Sequence, residues 1–159
     1  MDTMICSFSG HRAIPPAAEP QLRRLVRQRI AALASEGCTG FLCGGAVGFD
    51  TLAAEEVLAE RILRPELTLS LALPCPDQDK SWPDAARRRF RRILEEADEA
   101  ILVSAEYHRY CMAQRNRFMV DHSCRLICYL TEERGGTAFT VRYALKAGIP
   151  VENLAIELK

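Results

Sequence analysis

Six of the nine glycines in this chain fall in three short polar segments. Gly10 stands in Ser9-Gly10-His11-Arg12. Gly44, Gly45 and Gly48 stand in Gly44-Gly45-Ala46-Val47-Gly48-Phe49-Asp50. Gly135 and Gly136 open Gly135-Gly136-Thr137-Ala138-Phe139-Thr140. Glycines between a strand and a helix let the backbone approach a ligand closely. A helix starting there offers unpaired N–H groups and a partial positive charge, which is the chemistry of phosphate binding. The second segment is not G-x-G-x-x-G, nor does it carry the lysine of a P-loop. Two readings fit it: a phosphate cradle, or a tight strand–helix turn capped by Asp50. An acid in the place of Asp50 also suits a ribose hydroxyl. The third segment repeats the logic, and two such turns on one edge favour a shared anion site over two unrelated turns.

Other residues have paired readings. Arg115 suits a bidentate phosphate contact with Asn116 beside it, or a surface arginine with a turn-forming asparagine. Arg12 has the same two readings. Trp82, Tyr107 and Tyr110 suit stacking on a base, but aromatic residues more often serve burial. His11 and His108 read as exposed loop histidines. The run Arg87-Arg88-Arg89-Phe90-Arg91-Arg92 reads as a solvated helix face.

The elements that must position these residues alternate strand and helix. Apolar runs predict strands over Met4–Phe8, Gly40–Cys43, Leu67–Leu73, Glu99–Val103 and Arg125–Leu130. Helical periodicity predicts helices over Gln21–Ser35, Asp50–Leu63, Met112–His122 and Thr137–Ala147. A further helix after Ser81 carries Ala86, Phe90, Ile93, Leu94 and Ala97 on one face, with Ser81 and Asp84 forming a capping box. The alternation of Leu154, Ile156 and Leu158 predicts a half-exposed edge strand at the C-terminal end. This order specifies an α/β fold: a single Rossmann-like three-layer domain over 1–159 with a mostly parallel sheet. In such sheets ligands bind outside the carboxyl ends of the strands, where the polar segments collect.

Bulk composition narrows the classes. A chain of 159 residues with 48% hydrophobic and 26% charged residues is of ordinary globular type and large enough for one core. It has 21 basic and 21 acidic residues, a balance that does not suggest a whole-domain polyanion binder, so nucleic acid is not an expected partner. No apolar run approaches the ~20 residues of a membrane helix, and the N-terminus lacks the features of a signal peptide, so a cytoplasmic location without membrane contact is expected. Seven cysteines without paired spacing argue against a disulfide framework, and the three histidines show no metal-ligand spacing. Neither a metal nor a resident cofactor is expected. An exposed apolar helix face leaves room for a homo-oligomer.

Ser9-Gly10-His11-Arg12, Gly44 to Asp50, Arg115-Asn116-Arg117 and Gly135-Gly136-Thr137 with Thr140 occur in the order seen in the SLOG superfamily. That group contains the Lonely-guy phosphoribohydrolases, the DNA-processing protein DprA and the YpsA-like proteins. The resemblance spans about 10 to 145 and is greatest to the YpsA-like branch. It implies a Rossmann-like fold that binds or senses a nucleotide or nucleotide-derived phosphate ligand of ADP-ribose or NAD type. By carry-over, the Gly44-Gly45 turn and Gly135-Gly136-Thr137 would hold phosphate, with Ser9, Gly10, Arg12, Ala46, Gly48 and Thr140 also among the ligand-binding residues. Arg115 and Asn116 would close the pocket, and Asp50 would start the second helix.

The Lonely-guy pattern P-G-G-x-G-T-x-x-E is not kept: Ala138 and Phe139 stand for Gly and Thr, and Arg142 stands for the catalytic Glu. A glycosidic cleavage needs a carboxylate that Arg142 does not supply. Gly135 to Thr140 is closer to the S-G-S-x-x-T segment of DprA. A ligand-binding module therefore ranks first. A nucleotide hydrolase of phosphoribohydrolase type, drawing on Asp50, Glu106 or Asp121, ranks second. A DprA-like single-stranded DNA binder ranks third.

Overall fold

In a computed structural model of the chain, residues 4–158 are described. Residues 1–3, where the reading for a targeting signal begins, and residue 159 lie outside them. Strands and helices alternate: β1 Ile5–Gly10, α1 Glu19–Ser35, β2 Gly40–Cys43, α2 Phe49–Leu63, β3 Thr68–Leu73, α3 Asp84–Glu96, β4 Glu99–Leu102, α4 Cys111–Asp121, β5 Arg125–Tyr129, α5 Gly136–Ala147 and β6 Val151–Asn153. The strand order is β4-β3-β2-β1-β5-β6, and every pairing is parallel.

The strands read as near-continuous apolar runs because both faces of the sheet are covered in the middle. In β1, Cys6 and Phe8 face α1, α2 and α3, joining Leu22, Val26 and Ile30 of α1 and Phe90 and Ile93 of α3. Ser7, between them, is buried on the opposite face, where its hydroxyl bonds the carbonyl of Met119 in α4 at 3.2 Å and pairs with the Ser123 hydroxyl. Likewise Ile127 and Tyr129 of β5 join the first layer, while Leu126 and Cys128 pack with Val120 and Ala144 of α4 and α5. The first layer centres on Phe8, whose ring lies 5.8 Å from Phe41 and 6.2 Å from Phe49. All seven cysteines are free.

Connections from β1 run outward through β2 and β3 to β4. The chain then returns through α4 to β5 on the other side of β1. Loops leaving β1 and β5 therefore diverge to opposite faces, which opens a crevice at their carboxyl ends.

Three boundaries depart from the sequence reading. Leu154, Ile156 and Leu158 do not form an edge strand. The sixth strand is Val151–Asn153, pairing with Leu126–Cys128, and Leu154–Glu157 is a 3-10 turn. Asn153 ends the strand: its side chain takes both the N–H and the carbonyl of Leu130 and caps the turn through Ala155 N. Leu154 is then buried while Ile156 is 83% exposed. Ser81 caps nothing. The segment before α3 is a run of turns, with Lys80 N bonding Asp77 O and Trp82 N bonding Asp79 O, and Pro83 precedes the helix. Finally, α2 starts at Phe49 with Gly48 as its cap, which makes Asp50 an early helical residue instead of the cap.

Candidate functional site

The crevice at the carboxyl ends of β1 and β5 is a cavity of about 350 Å³. The end of β1 and the loop after it line it with Ser9, Gly10, His11 and Arg12. The start of α2 contributes Ala46 and Asp50, α4 contributes Met112, Arg115 and Asn116, and the start of α5 contributes Gly136 and Thr137. The sequence reading named all of these except His11 and Met112. His11 is held in place: its Nε2 accepts from Thr131 N at 2.8 Å, and its ring edges onto Tyr129 at 5.7 Å. Its position directly after a central strand was the signal that could have found it.

Gly44, Gly45, Gly48, Gly135 and Thr140 do not line the cavity. A Cβ on Gly44 would lie 2.6 Å from Arg115 Nη1 and 2.8 Å from Asp50 Oδ2. Glycine is needed there because two buried charged side chains occupy the space. Gly48, with φ of +85°, would place a Cβ 2.3 Å from the carbonyl oxygen of Arg12. That contact lets Phe49 N bond His11 O at 3.1 Å, joining the loop after β1 to the start of α2. On the opposite side, a Cβ on Gly10 would meet Phe49 at 2.5 Å. Thr140 turns inward and bonds Gly136 O at 2.8 Å.

Arg115 is the centre of the site. It is 5% exposed, although it lies inside α4 and not at its start. Its Nη1 donates to Gly44 O at 2.6 Å and weakly to Ala72 O at 3.4 Å, and its Nε donates to Asn116 Oδ1 at 2.9 Å. These carbonyls replace part of its hydration, as a buried cation requires. Burial lowers its pKa from the ordinary arginine value, and Asp50 opposes the shift.

Asp50 is the one carboxylate lining the cavity among the described residues. Burial pushes it up to about 6, against the pull of Arg115, of the backbone at Ala46 and Gly44, and of Arg12. Its Oδ2 accepts from Ala46 N at 3.3 Å. The carboxylate thus sits at the N-terminal end of its own helix, where an anion is stabilised. The first turn of α5 has no acidic residue. A Cβ on Gly135 would meet nothing within 4 Å, and one on Gly136 only Asn116 Nδ2 at 3.7 Å. The N–H groups of an opening helical turn lack intrahelical partners, and Gly136 and Thr137 of this turn line the cavity. Two guanidiniums against one carboxylate, with the start of α5, give this crevice an excess of positive charge within a chain of zero net charge.

Of the aromatic candidates, Trp82 packs on Phe90 at 5.4 Å, away from the cavity. Tyr110 lies under the Arg109 guanidinium at 5.0 Å. Tyr107 is 70% exposed. Glu106 and Asp121 lie outside the cavity, and Asp121 accepts from Tyr143 OH at 2.8 Å. No helix among the described residues is long and apolar enough to cross a membrane.

The YspA SLOG family matches the chain over residues 17–153. A UPF0398 protein of Halalkalibacterium halodurans is 27% identical over 118 residues, covering 73% of this chain and 62% of its own length. The SPbeta prophage-derived protein YoqJ of Bacillus subtilis is 30% identical over 118 residues, covering 67% of this chain and 69% of its own. The chain therefore spans less than two thirds of the first of these relatives. Among solved structures it is similar to DNA processing protein A from Helicobacter pylori, described with a single-stranded DNA binding mode. The TM-score is 0.65 at 21% identity, over 94% of this chain and 64% of that one. It is also similar to the molybdenum cofactor carrier protein of Chlamydomonas reinhardtii. There the TM-score is 0.59 at 19% identity, over 94% of this chain and 74% of that one. At these identities the likeness is one of fold.

Proposed function

The chain belongs to the YspA SLOG family, and from that premise we propose that it binds a nucleotide or nucleotide-derived phosphate ligand in the crevice between β1 and β5. One observation carries the reading. The opening turn of α5 has no acid and no side chain over Gly135 and Gly136, and it shares the cavity with Arg12 and with the buried Arg115. A phosphate there receives helix N–H groups and guanidinium donors together. Ser9, Gly10, Ala46, Asn116 and Thr137 form the rest of the wall. Gly44, Gly45, Gly48 and Thr140 support it from behind, and Gly135 turns the chain into α5. Fold neighbours described as a molybdenum cofactor carrier and as having a single-stranded DNA binding mode support a ligand-binding use of this fold.

A thermal-shift titration with AMP, ADP, ATP, NAD, ADP-ribose and a short oligonucleotide tests the reading, because a ligand selective for the folded state raises its stability. Gly136→Asp is the control. Its side chain has room, an acid suits the first turn of a helix, and the carboxylate repels a phosphate. A dose-dependent rise with a nucleotide that is lost in Gly136→Asp is expected. A rise with the oligonucleotide alone, or with no probe, contradicts the reading.

One observation favours a second reading, hydrolysis of an N-glycosidic or phosphate bond. Asp50 lines the cavity and is pushed up to about 6, within the working range of a general acid or base. Glycoside hydrolysis usually employs two carboxylates, and the cavity offers one, which ranks binding above turnover. Chromatography of AMP or NAD incubated with the protein and with Asp50→Asn separates the two: product formed only by the parent protein establishes turnover.

A further inference from the structure

A second cavity of about 460 Å³ lies beside the first, between the loop after β3 and the loop after β4. Met112 lines both, so the two meet at that side chain. The first alone is near the lower end of the roughly 300–1,000 Å³ of small-molecule sites, and the pair is near the upper end. Crossing from the start of α5, beyond β5, to the loops after β3 and β4 takes three to four strand spacings. That is roughly 14–19 Å at ~4.8 Å per strand, longer than a nucleoside monophosphate reaches.

The walls of the second cavity differ in kind from those of the first. Tyr107 presents an aromatic face that is 70% exposed, with no ring or cation partner among the described residues. An exposed tyrosine at a cavity rim is a stacking platform for a flat heterocycle. Gln78 is anchored at one end, where Nε2 donates to Gly44 O at 3.4 Å, which fixes the amide orientation. At the other end Oε1 is buried without a donor. A ligand amine reaching this wall satisfies it. Gly44 O also accepts from Arg115 Nη1, so one carbonyl joins the two cavities. Lys80, at the rim, is an exposed cation.

We infer that the second cavity is the base subsite of an elongated ligand, a nucleoside diphosphate or its ester, with Tyr107 as its stacking platform and Gln78 as its polar contact. This rests on the proposed phosphate site at α5, and the test separates the two. Calorimetric titration of the full chain compares ADP with inorganic pyrophosphate, which lacks the nucleoside. ADP binds about tenfold tighter, as base–aromatic stacking predicts. Tyr107→Ala removes that gain and leaves pyrophosphate affinity unchanged, Tyr107→Phe restores it, and Gly136→Asp abolishes both. If ADP and pyrophosphate bind equally, or Tyr107→Ala leaves the gain intact, the base subsite is wrong while the phosphate site stands. If neither probe binds, both assignments fall.

Discussion

The two glycine-rich turns at the carboxyl edge of the sheet share a composition and differ in what surrounds them. At Gly44–Gly48 the protein fills the space itself. Arg115 and Asp50 crowd Gly44, the backbone of Arg12 lies on Gly48, and the carboxylate of Asp50 sits at the start of α2. At Gly135–Gly136 nothing comes nearer than 3.7 Å to an added Cβ, and the first turn of α5 carries no acid. Glycine at the first turn admits the protein's own atoms, and at the second it leaves room for another molecule. The first turn therefore builds the crevice wall, and the second is the one that the proposed function turns toward a ligand.

Substitutions should divide along this line. Gly48→Ala combines a left-handed backbone with a collision against the Arg12 backbone, so it should destabilise the fold by roughly 3–5 kcal/mol, read from chemical denaturation. A loss below about 1 kcal/mol would mean that the loop after β1 yields freely and that the first turn is not a packed junction.

The pH dependence of stability reports the buried charge at the same turn. The folded-state pKa of Asp50 lies at about 6, above the ordinary 3.8. Between these values the native state holds a proton that the unfolded chain has released. The contribution of Asp50 is thus fully present below pH 3.8 and is lost as pH rises through 6. The loss is about 3 kcal/mol, measured as the difference between the parent protein and Asp50→Asn across that window. A flat difference would place Asp50 in contact with solvent.

Smaller effects are expected at the second turn. Gly135, at φ of +95° and ψ of −174°, lies in a region that favours glycine, so Gly135→Ala should cost about 1–3 kcal/mol through the backbone alone. Gly136→Ala should change stability by less than about 0.5 kcal/mol, because the added methyl meets only Asn116 Nδ2 at 3.7 Å, an ordinary van der Waals contact. Thermal or urea unfolding of both variants checks the pair. A large loss in Gly136→Ala would erase the distinction between the turns.

Much of this arrangement was legible in the residues. Strand–helix alternation and the apolar runs specified a parallel α/β sheet. The rule that ligands gather at carboxyl ends brings Ser9, Gly10, Arg12, Asp50, Arg115 and Gly136 to one edge from the sequence alone. What each glycine faces was not legible, because that depends on atoms distant in sequence. Gly44 is set by Arg115, 71 positions away. The burial of Arg115 was hidden for the same reason, since a guanidinium inside a helix reads as surface until Gly44 O and Ala72 O are placed around it. The C-terminal alternation of Leu154, Ile156 and Leu158 misled because Asn153 closes β6 with its side chain, and a period of two cannot register such a cap.

The most direct test of the central claim, that the ligand phosphate sits at α5 while the first turn only supports the site, is a titration of the isotopically labelled protein with millimolar inorganic pyrophosphate, which lacks the nucleoside, followed by NMR of the backbone and arginine N–H groups. The account predicts that the largest shifts fall on Gly136, Thr137 and Ala138 and on the Arg115 Nε–H, with Gly44 and Gly45 moving little. Shifts concentrated on Gly44 to Gly48, with the start of α5 unmoved, would contradict it.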